Sequence, residues 1–178
     1  MIAGPRNSPT SPKVSSPPVV NPDTIAAGLP RINGRLAERQ AGEIAIRWRQ
    51  QLIAEGTDFA METTLSGNGP VRVMSDAKAA GYKITLVYIG LANVALSASR
   101  VMDRVRRGGH AVPLDAIERR YPDTLSKLGM AIAIADRVYV FDNSGRRRRL
   151  LLNRDKRRNK FVSTNLPKWA RTALHEIV

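Results

Sequence analysis

Apolar positions along this chain alternate between a period of two and a period near 3.6, and the alternation lays out the elements. Val19-Val20 is a short apolar run closed by Asn21-Pro22. Over 34–55, Leu36, Ile44, Trp48 and Leu52 recur close to one face of a helix. Phe59-Ala60-Met61-Glu62-Thr63 reads as a strand, and 70–80 as a helix stopped by Gly81. From Tyr82 to Ile89, the nearly continuous Ile84, Leu86, Val87 and Ile89 predict a strand buried on both faces. Helices follow over 92–107 and 114–133, the second with Pro113 in its first turn, where a missing N–H costs nothing. Val138-Tyr139-Val140-Phe141 predicts another buried strand and Asp142-Asn143-Ser144-Gly145 a turn. A short strand around Leu150–Leu152 and a helix near 167–177 end the list. Strands separated by helices predict an α/β fold with a parallel sheet, and no internal repeat is present.

Composition changes this picture at the start of the chain. Met1 to Pro18 holds Pro5, Pro9, Pro12, Pro17 and Pro18 with four serines among them, and such a stretch keeps no helix. The expected organisation is therefore a leading segment, 1–18, and one domain over 19–178. The absence of cysteine excludes a disulfide framework, a cysteine zinc site and thiol catalysis. His110 and His175 are too few and too far apart to suggest a metal centre. The apolar stretch Ile84 to Leu96 is broken by Thr85, Gly90 and Asn93, so no segment reads as a membrane span, and no secretory signal is visible. A cytoplasmic protein without a membrane partner is the expectation.

Charge changes it again near the end. Residues 146–160 carry nine basic side chains against one acidic, which is eight of the fourteen excess positive charges. The rest of the chain is only mildly basic.

Several motifs occur in a telling order. They are Asn21-Pro22-Asp23, Met61-Glu62-Thr63-Thr64-Leu65-Ser66-Gly67, Ala80-Gly81-Tyr82, the arginines Arg100 and Arg104 leading into Gly108-Gly109-His110-Ala111-Val112-Pro113, and Ala135-Asp136 before Tyr139–Gly145. Together, over roughly residues 19–145, they resemble the zeta-toxin-like P-loop kinases of bacteria. The Gly-Gly-His-x-Val-Pro segment with its upstream arginines is the most specific part.

The resemblance implies a three-layer P-loop kinase fold and ATP-dependent phosphoryl transfer, with Mg²⁺, to a hydroxyl of a small molecule. In the best-known members that acceptor is the sugar nucleotide UDP-N-acetylglucosamine, and an antitoxin protein is the expected partner. Such transfer rests on positioning and on neutralising charge. By resemblance Asp23 orients and deprotonates the acceptor hydroxyl; from the residues alone it could equally cap a helix starting near Thr24. Glu62 and Thr64 match positions that hold the acceptor, while Thr63 should point the other way along a strand. Arg100, Arg104 and Arg107 fall on one face of a helix and match the lid over the transferred phosphate, a task suited to a bidentate, permanently charged guanidinium. Arg104 and Arg107 are preferred there to Arg106, and His110 is a phosphate contact or a turn residue.

The phosphate-binding loop departs from the family. Its pattern is G-x-x-x-x-G-K-[ST] after a first strand. Met1-Ile2-Ala3-Gly4-Pro5 resembles the end of that strand, which is cut to a stub. Counting from Gly4, the second glycine and the lysine are replaced by Pro9 and Thr10. Only Ser11 matches, at the place of the magnesium-binding hydroxyl, and Lys13 comes three positions late. Two explanations stand side by side: a degenerate kinase that keeps the fold, or a reading-frame slip over Arg6 to about Pro17.

A rival class is a non-catalytic protein that keeps the kinase fold and binds a partner or, through 146–160, nucleic acid nonspecifically. With aromatics at 5% of the chain and few in the basic run, no stacking platform is evident, and a solvated charged connection is the plainer reading.

Overall fold

The computed structural model describes residues 2–5, 16–30, 34–109 and 111–178. The chain divides into two compact units, Met1–Thr63 with Ser75–Ile84, and Thr64–Met74 with Thr85–Val178. Helix α3 (Gly69–Ala79) and strand β4 (Tyr82–Gly90) give residues to both.

In the first unit, β1 (Ile2–Pro5), β2 (Val19–Val20) and β3 (Phe59–Met61) lie side by side in the order β2-β3-β1. β2 runs parallel to β3, with Val19 opposite Ala60 and Val20 opposite Met61. β1 runs antiparallel to β3, with Ile2 opposite Ala60 and Ala3 opposite Phe59. Helix α1 (Pro22–Gly28) follows β2, and α2 (Gly34–Ala54) packs on α1. The expected face of α2 is shifted: Ala41, Ala45 and Leu52 are buried, whereas Ile44 and Trp48 are half-exposed. The two alanines lack bulk and let the helix lie close, a signal that a count of large apolar residues passes over. Tyr82 closes the end of α2, its buried hydroxyl donating to the carbonyl oxygens of Leu52 at 2.9 Å and Thr57 at 3.1 Å. Its ring meets Phe59 edge-on at 6.1 Å.

In the second unit the order is β4-β5-β6-β7, with β5 (Arg137–Asp142), β6 (Arg149–Asp155) and β7 (Arg158–Val162). β4 and β5 are parallel from Thr85 opposite Arg137 to Gly90 opposite Asp142, and β6 and β7 add antiparallel neighbours. Helices α4 (Val94–Arg106), α5 (Leu114–Ile134) and α6 (Lys168–Leu174) complete it. Its core is built from Leu86, Leu128, Ala131, Val138, Val140, Leu151, Leu152 and Leu174. The chain is thus α/β with parallel strand pairs, as its periodicity predicts.

Three local expectations change. β4 is buried on one side only: Val87 and Ile89 are 45% and 47% exposed, beside their half-exposed β5 partners Tyr139 and Phe141. Pro113 stands at the N-cap of α5, one place before its first turn, and a second proline, Pro122, lies inside that helix. The basic segment after β5 is a β-hairpin, not a solvated connection. Its turn residues Lys156 and Arg157 take left-handed backbone, with φ of 45° and 69°. Such turns usually carry Asn or Gly, and a Lys-Arg pair is no hairpin signal.

Asp142 is the buried charged residue of the described core, 8% exposed. It accepts hydrogen bonds from Ser144 and from the indole N–H of Trp169 at 3.3 Å, and Arg149 lies 3.6 Å away. Trp169 in turn lies hard against Gly90, where a Cβ would come within 2.4 Å of the indole ring.

Candidate functional site

At the carboxyl ends of β2 and β3, Asn21 joins two of the predicted residues. Its side-chain oxygen accepts from the backbone N–H of Asp23 at 2.8 Å, and its side-chain amide donates to the Glu62 carboxylate. Asn21 is therefore the cap of α1, with Pro22 in the first helical turn, and Asp23 is not the cap. That leaves the Asp23 carboxylate exposed two residues past the cap, in the first helical turn, where negative charge is favoured. Glu62 is likewise exposed, immediately after β3 ends at Met61. The strand is two residues shorter than predicted, so Glu62 is not a charge forced into a strand. Sequence reading gave Asn21 no role, although an asparagine before a proline at a helix start is a capping signal.

Arg49 of α2 lies part-buried, its Nη1 3.9 Å from the sulfur of Met61, the residue before Glu62. Its Nε is buried without a partner among the described residues, and burial lowers its pKa.

In the second unit the segment that carries Thr64 is held by α5. Thr124 donates its hydroxyl to the Thr64 carbonyl oxygen at 2.7 Å, and Asp123 accepts from the Gly67 N–H. Lys127 lies 3.0 Å from the same carboxylate. These contacts hold the Asp123 carboxyl below its usual value, the Gly67 N–H first and Lys127 second. Leu65 has left-handed backbone, φ 57°, and is buried, 2% exposed. The strain is of order 1 kcal/mol and is offset by about 1.5–3 kcal/mol of leucine burial. The result presents the exposed Thr64 hydroxyl 2.8 Å from that of Ser66. Asp123 and Thr124 left no trace in local sequence, because their partners are 56 and 60 residues away.

The arginines gather on α4. Arg100, Arg104 and Arg107 are exposed and, with Asp103 and Gly109, frame a shallow hollow of about 290 Å³. Arg106 turns aside to pair with Asp103 at 3.4 Å. Gly108 ends the helix with φ 84°, and the Gly109 N–H donates to the Arg104 carbonyl oxygen at 2.9 Å. A Cβ on Gly109 would come within 2.5 Å of Arg104 Cγ, so the second glycine is required by close packing against that arginine.

Gly4 lies in β1, and Ser11 and His110 lie outside the described residues. The direction of β1 bears on ATP. Because it opposes β3, its carboxyl end points towards the start of β3, away from Asn21, Asp23 and Glu62. A phosphate-gripping loop leaves the carboxyl end of a strand that is parallel to its neighbours. With Pro9 and Thr10 in place of glycine and lysine, the residues present do not fit ATP·Mg²⁺ bound by such a loop. Among the described residues no group of three or more His, Asp or Glu side chains could hold a metal. No helix among them is long and apolar enough to cross a membrane.

Comparison with known proteins agrees with the motifs. The zeta toxin family model matches residues 22–156. An uncharacterized protein of Haemophilus influenzae is 38% identical over 103 residues, which make up 58% of this chain and 74% of that protein. A solved chain from the PezAT chromosomal toxin–antitoxin system of the human pathogen Streptococcus pneumoniae superposes over 89% of this chain, with a TM-score of 0.52. At 17% identity that likeness is one of fold, and this chain spans 65% of the other's length. The family match covers most of the chain and includes Asp23, Glu62, the α5-held loop and the arginine helix: the chain belongs to the zeta toxin family, whose members are kinase-like.

Proposed function

We propose that this chain binds a sugar nucleotide of the UDP-N-acetylglucosamine kind through the acceptor half of a kinase-like fold, without phosphorylating it as the chain stands. The observation that carries the reading is the Asn21 clamp, which fixes Asp23 and Glu62 at the carboxyl ends of two parallel strands. Ligands of open α/β sheets bind at such ends. Asp23 accepts a hydrogen bond from the acceptor hydroxyl and sets its orientation. Glu62 and Thr64 hydrogen-bond the sugar. Arg104 and Arg107, with Arg100, neutralise phosphate, and His110 contacts it.

Phosphoryl transfer is absent from the proposal because Gly4 and Ser11, the two loop matches, come without the lysine and the second glycine. An antitoxin-like protein partner is part of the same reading, supported by the toxin–antitoxin origin of the solved match. So is a place in the cytoplasm.

Calorimetric titration of the folded chain tests this. Micromolar binding of UDP-N-acetylglucosamine, lost in Asp23→Ala and Glu62→Gln, is expected, together with no heat from ATP·Mg²⁺. Micromolar ATP·Mg²⁺ binding would restore the kinase reading. Absence of sugar-nucleotide binding would remove the acceptor site.

A further inference from the structure

We infer that the β6–β7 hairpin and the hollow beside it form a binding site for single-stranded nucleic acid, separate from the sugar-nucleotide edge. Of the nine basic residues in 146–160, Arg149 lies beside Asp142, Arg148 covers the Phe141 ring at 5.1 Å, and Arg154 donates to Asn159. Arg146, Arg147, Lys156, Arg157, Arg158 and Lys160 are exposed, and none of them is ion-paired with an acidic side chain among the described residues. Lys156, Arg157, Arg158 and Lys160 stand together at the turn and on β7, while Arg146 and Arg147 precede β6 at its other end; unneutralised cations so gathered repel one another unless a polyanion is present.

The tip of the hairpin supplies a second, independent observation. Lys156 and Arg157 occupy the two left-handed turn positions where Asn and Gly are favoured. Each costs of order 1 kcal/mol against glycine there. Two long cations thus stand in strained places at the turn of a basic strand pair, where a small turn residue would be more stable.

The third observation chooses between single and double strands. Between α5, α6 and the hairpin tip is a hollow of about 570 Å³, within the range of about 300–1,000 Å³ typical of small-molecule sites. Leu125, Gly129 and Ile132 give it apolar lining, Arg154 and Arg157 bring guanidinium donors, and Glu176, which also lines it, lies 3.7 Å from His175. Arg154 is held by Asn159, whose amide donates to the Ile177 carbonyl oxygen at 2.9 Å. An apolar hollow edged by guanidinium groups suits a base with its phosphate. A base can enter it only when unpaired and unstacked, as in single strands.

Fluorescence anisotropy with labelled single-stranded oligonucleotides and with the matching duplex, over a salt series, tests the inference on the full chain. Single strands should bind more tightly than the duplex, with an affinity that falls steeply with salt, at a slope of about −0.7 per phosphate contact. Lys156→Glu/Arg157→Glu should weaken binding at least about tenfold and flatten the slope by about one to two contacts. Arg39→Glu/Arg47→Glu, the same change in net charge on exposed positions of α2, should leave most of the affinity. Gly129→Leu fills the hollow from a position where a Cβ meets nothing within 4 Å, and should erase the preference for single strands. Equal losses in the two charge variants would reduce the effect to bulk charge and overturn the site. Equal or tighter duplex binding would overturn the role of the hollow. Failure to bind either nucleic acid, with hairpin-dependent binding of polyglutamate instead, would assign the surface to an acidic protein.

Discussion

Asn21 gives one end of its carboxamide to the backbone N–H of Asp23 and the other to the carboxylate of Glu62. One side chain therefore starts a helix and positions an acid just past the end of the neighbouring strand. Asn21→Ala should lose about 1 kcal/mol of stability through the cap, a drop in Tm of about 2–4 °C. Asn21→Asp separates the two roles, since an aspartate caps equally well but places a second carboxylate against Glu62. It should melt near the parent temperature yet bind UDP-N-acetylglucosamine several-fold more weakly. Unchanged affinity in Asn21→Asp would show that Glu62 acts without its clamp.

Gly109 is fitted against Arg104. In Gly109→Ala the new methyl must displace the root of that side chain or the carbonyl at the helix end, a distortion worth about 1–3 kcal/mol. The consequence to measure is anion binding: pyrophosphate affinity should fall several-fold in Gly109→Ala, as it does in Arg104→Ala. Parent-like affinity would place Arg104 outside phosphate recognition.

How much of this was legible beforehand differs between the two clusters. Asp23, Glu62 and the α4 arginines lie within short motifs, and each motif sits where a strand or helix ends, so periodicity already placed them at element ends. The clamps on those residues could not be read in the same way. Thr124 and Asp123 act on a loop some sixty residues earlier, and Ala41 and Ala45 bury a helix face by being small. The direction of β1 was also invisible, because four residues carry no information about which way a neighbouring strand runs.

Asp123 gives the loop around Thr64 a pH limit. Its folded pKa is depressed, so the stabilisation is present above the unfolded value near 3.8 and is lost as pH falls through the lower folded one. Amide exchange at Gly67 should accelerate relative to the rest of the loop as the solution is acidified below about pH 4. Asp123→Asn should abolish that acid response. An identical acid profile in Asp123→Asn would assign it to another carboxylate.

Gly90 and Trp169 are packed more closely than any larger pair would allow. Gly90→Ala should destabilise the chain by about 1–3 kcal/mol in urea unfolding and shift the Trp169 emission as the indole leaves Asp142. Trp169→Leu should suppress part of the penalty, because the two positions share one contact and are therefore not additive.

β7 has a further consequence that concerns copies of the chain and no ligand at all. It is the last strand in its order, so one side of its backbone offers free N–H and C=O groups to any extended segment that arrives. Exposed apolar strands in that position recruit one another into aggregates. On β7, Arg158 and Lys160 line the exposed edge, and two copies approaching strand to strand would bring like charges together at every second residue. The arginines and lysines of the hairpin thus set like charge against like charge at an open sheet edge.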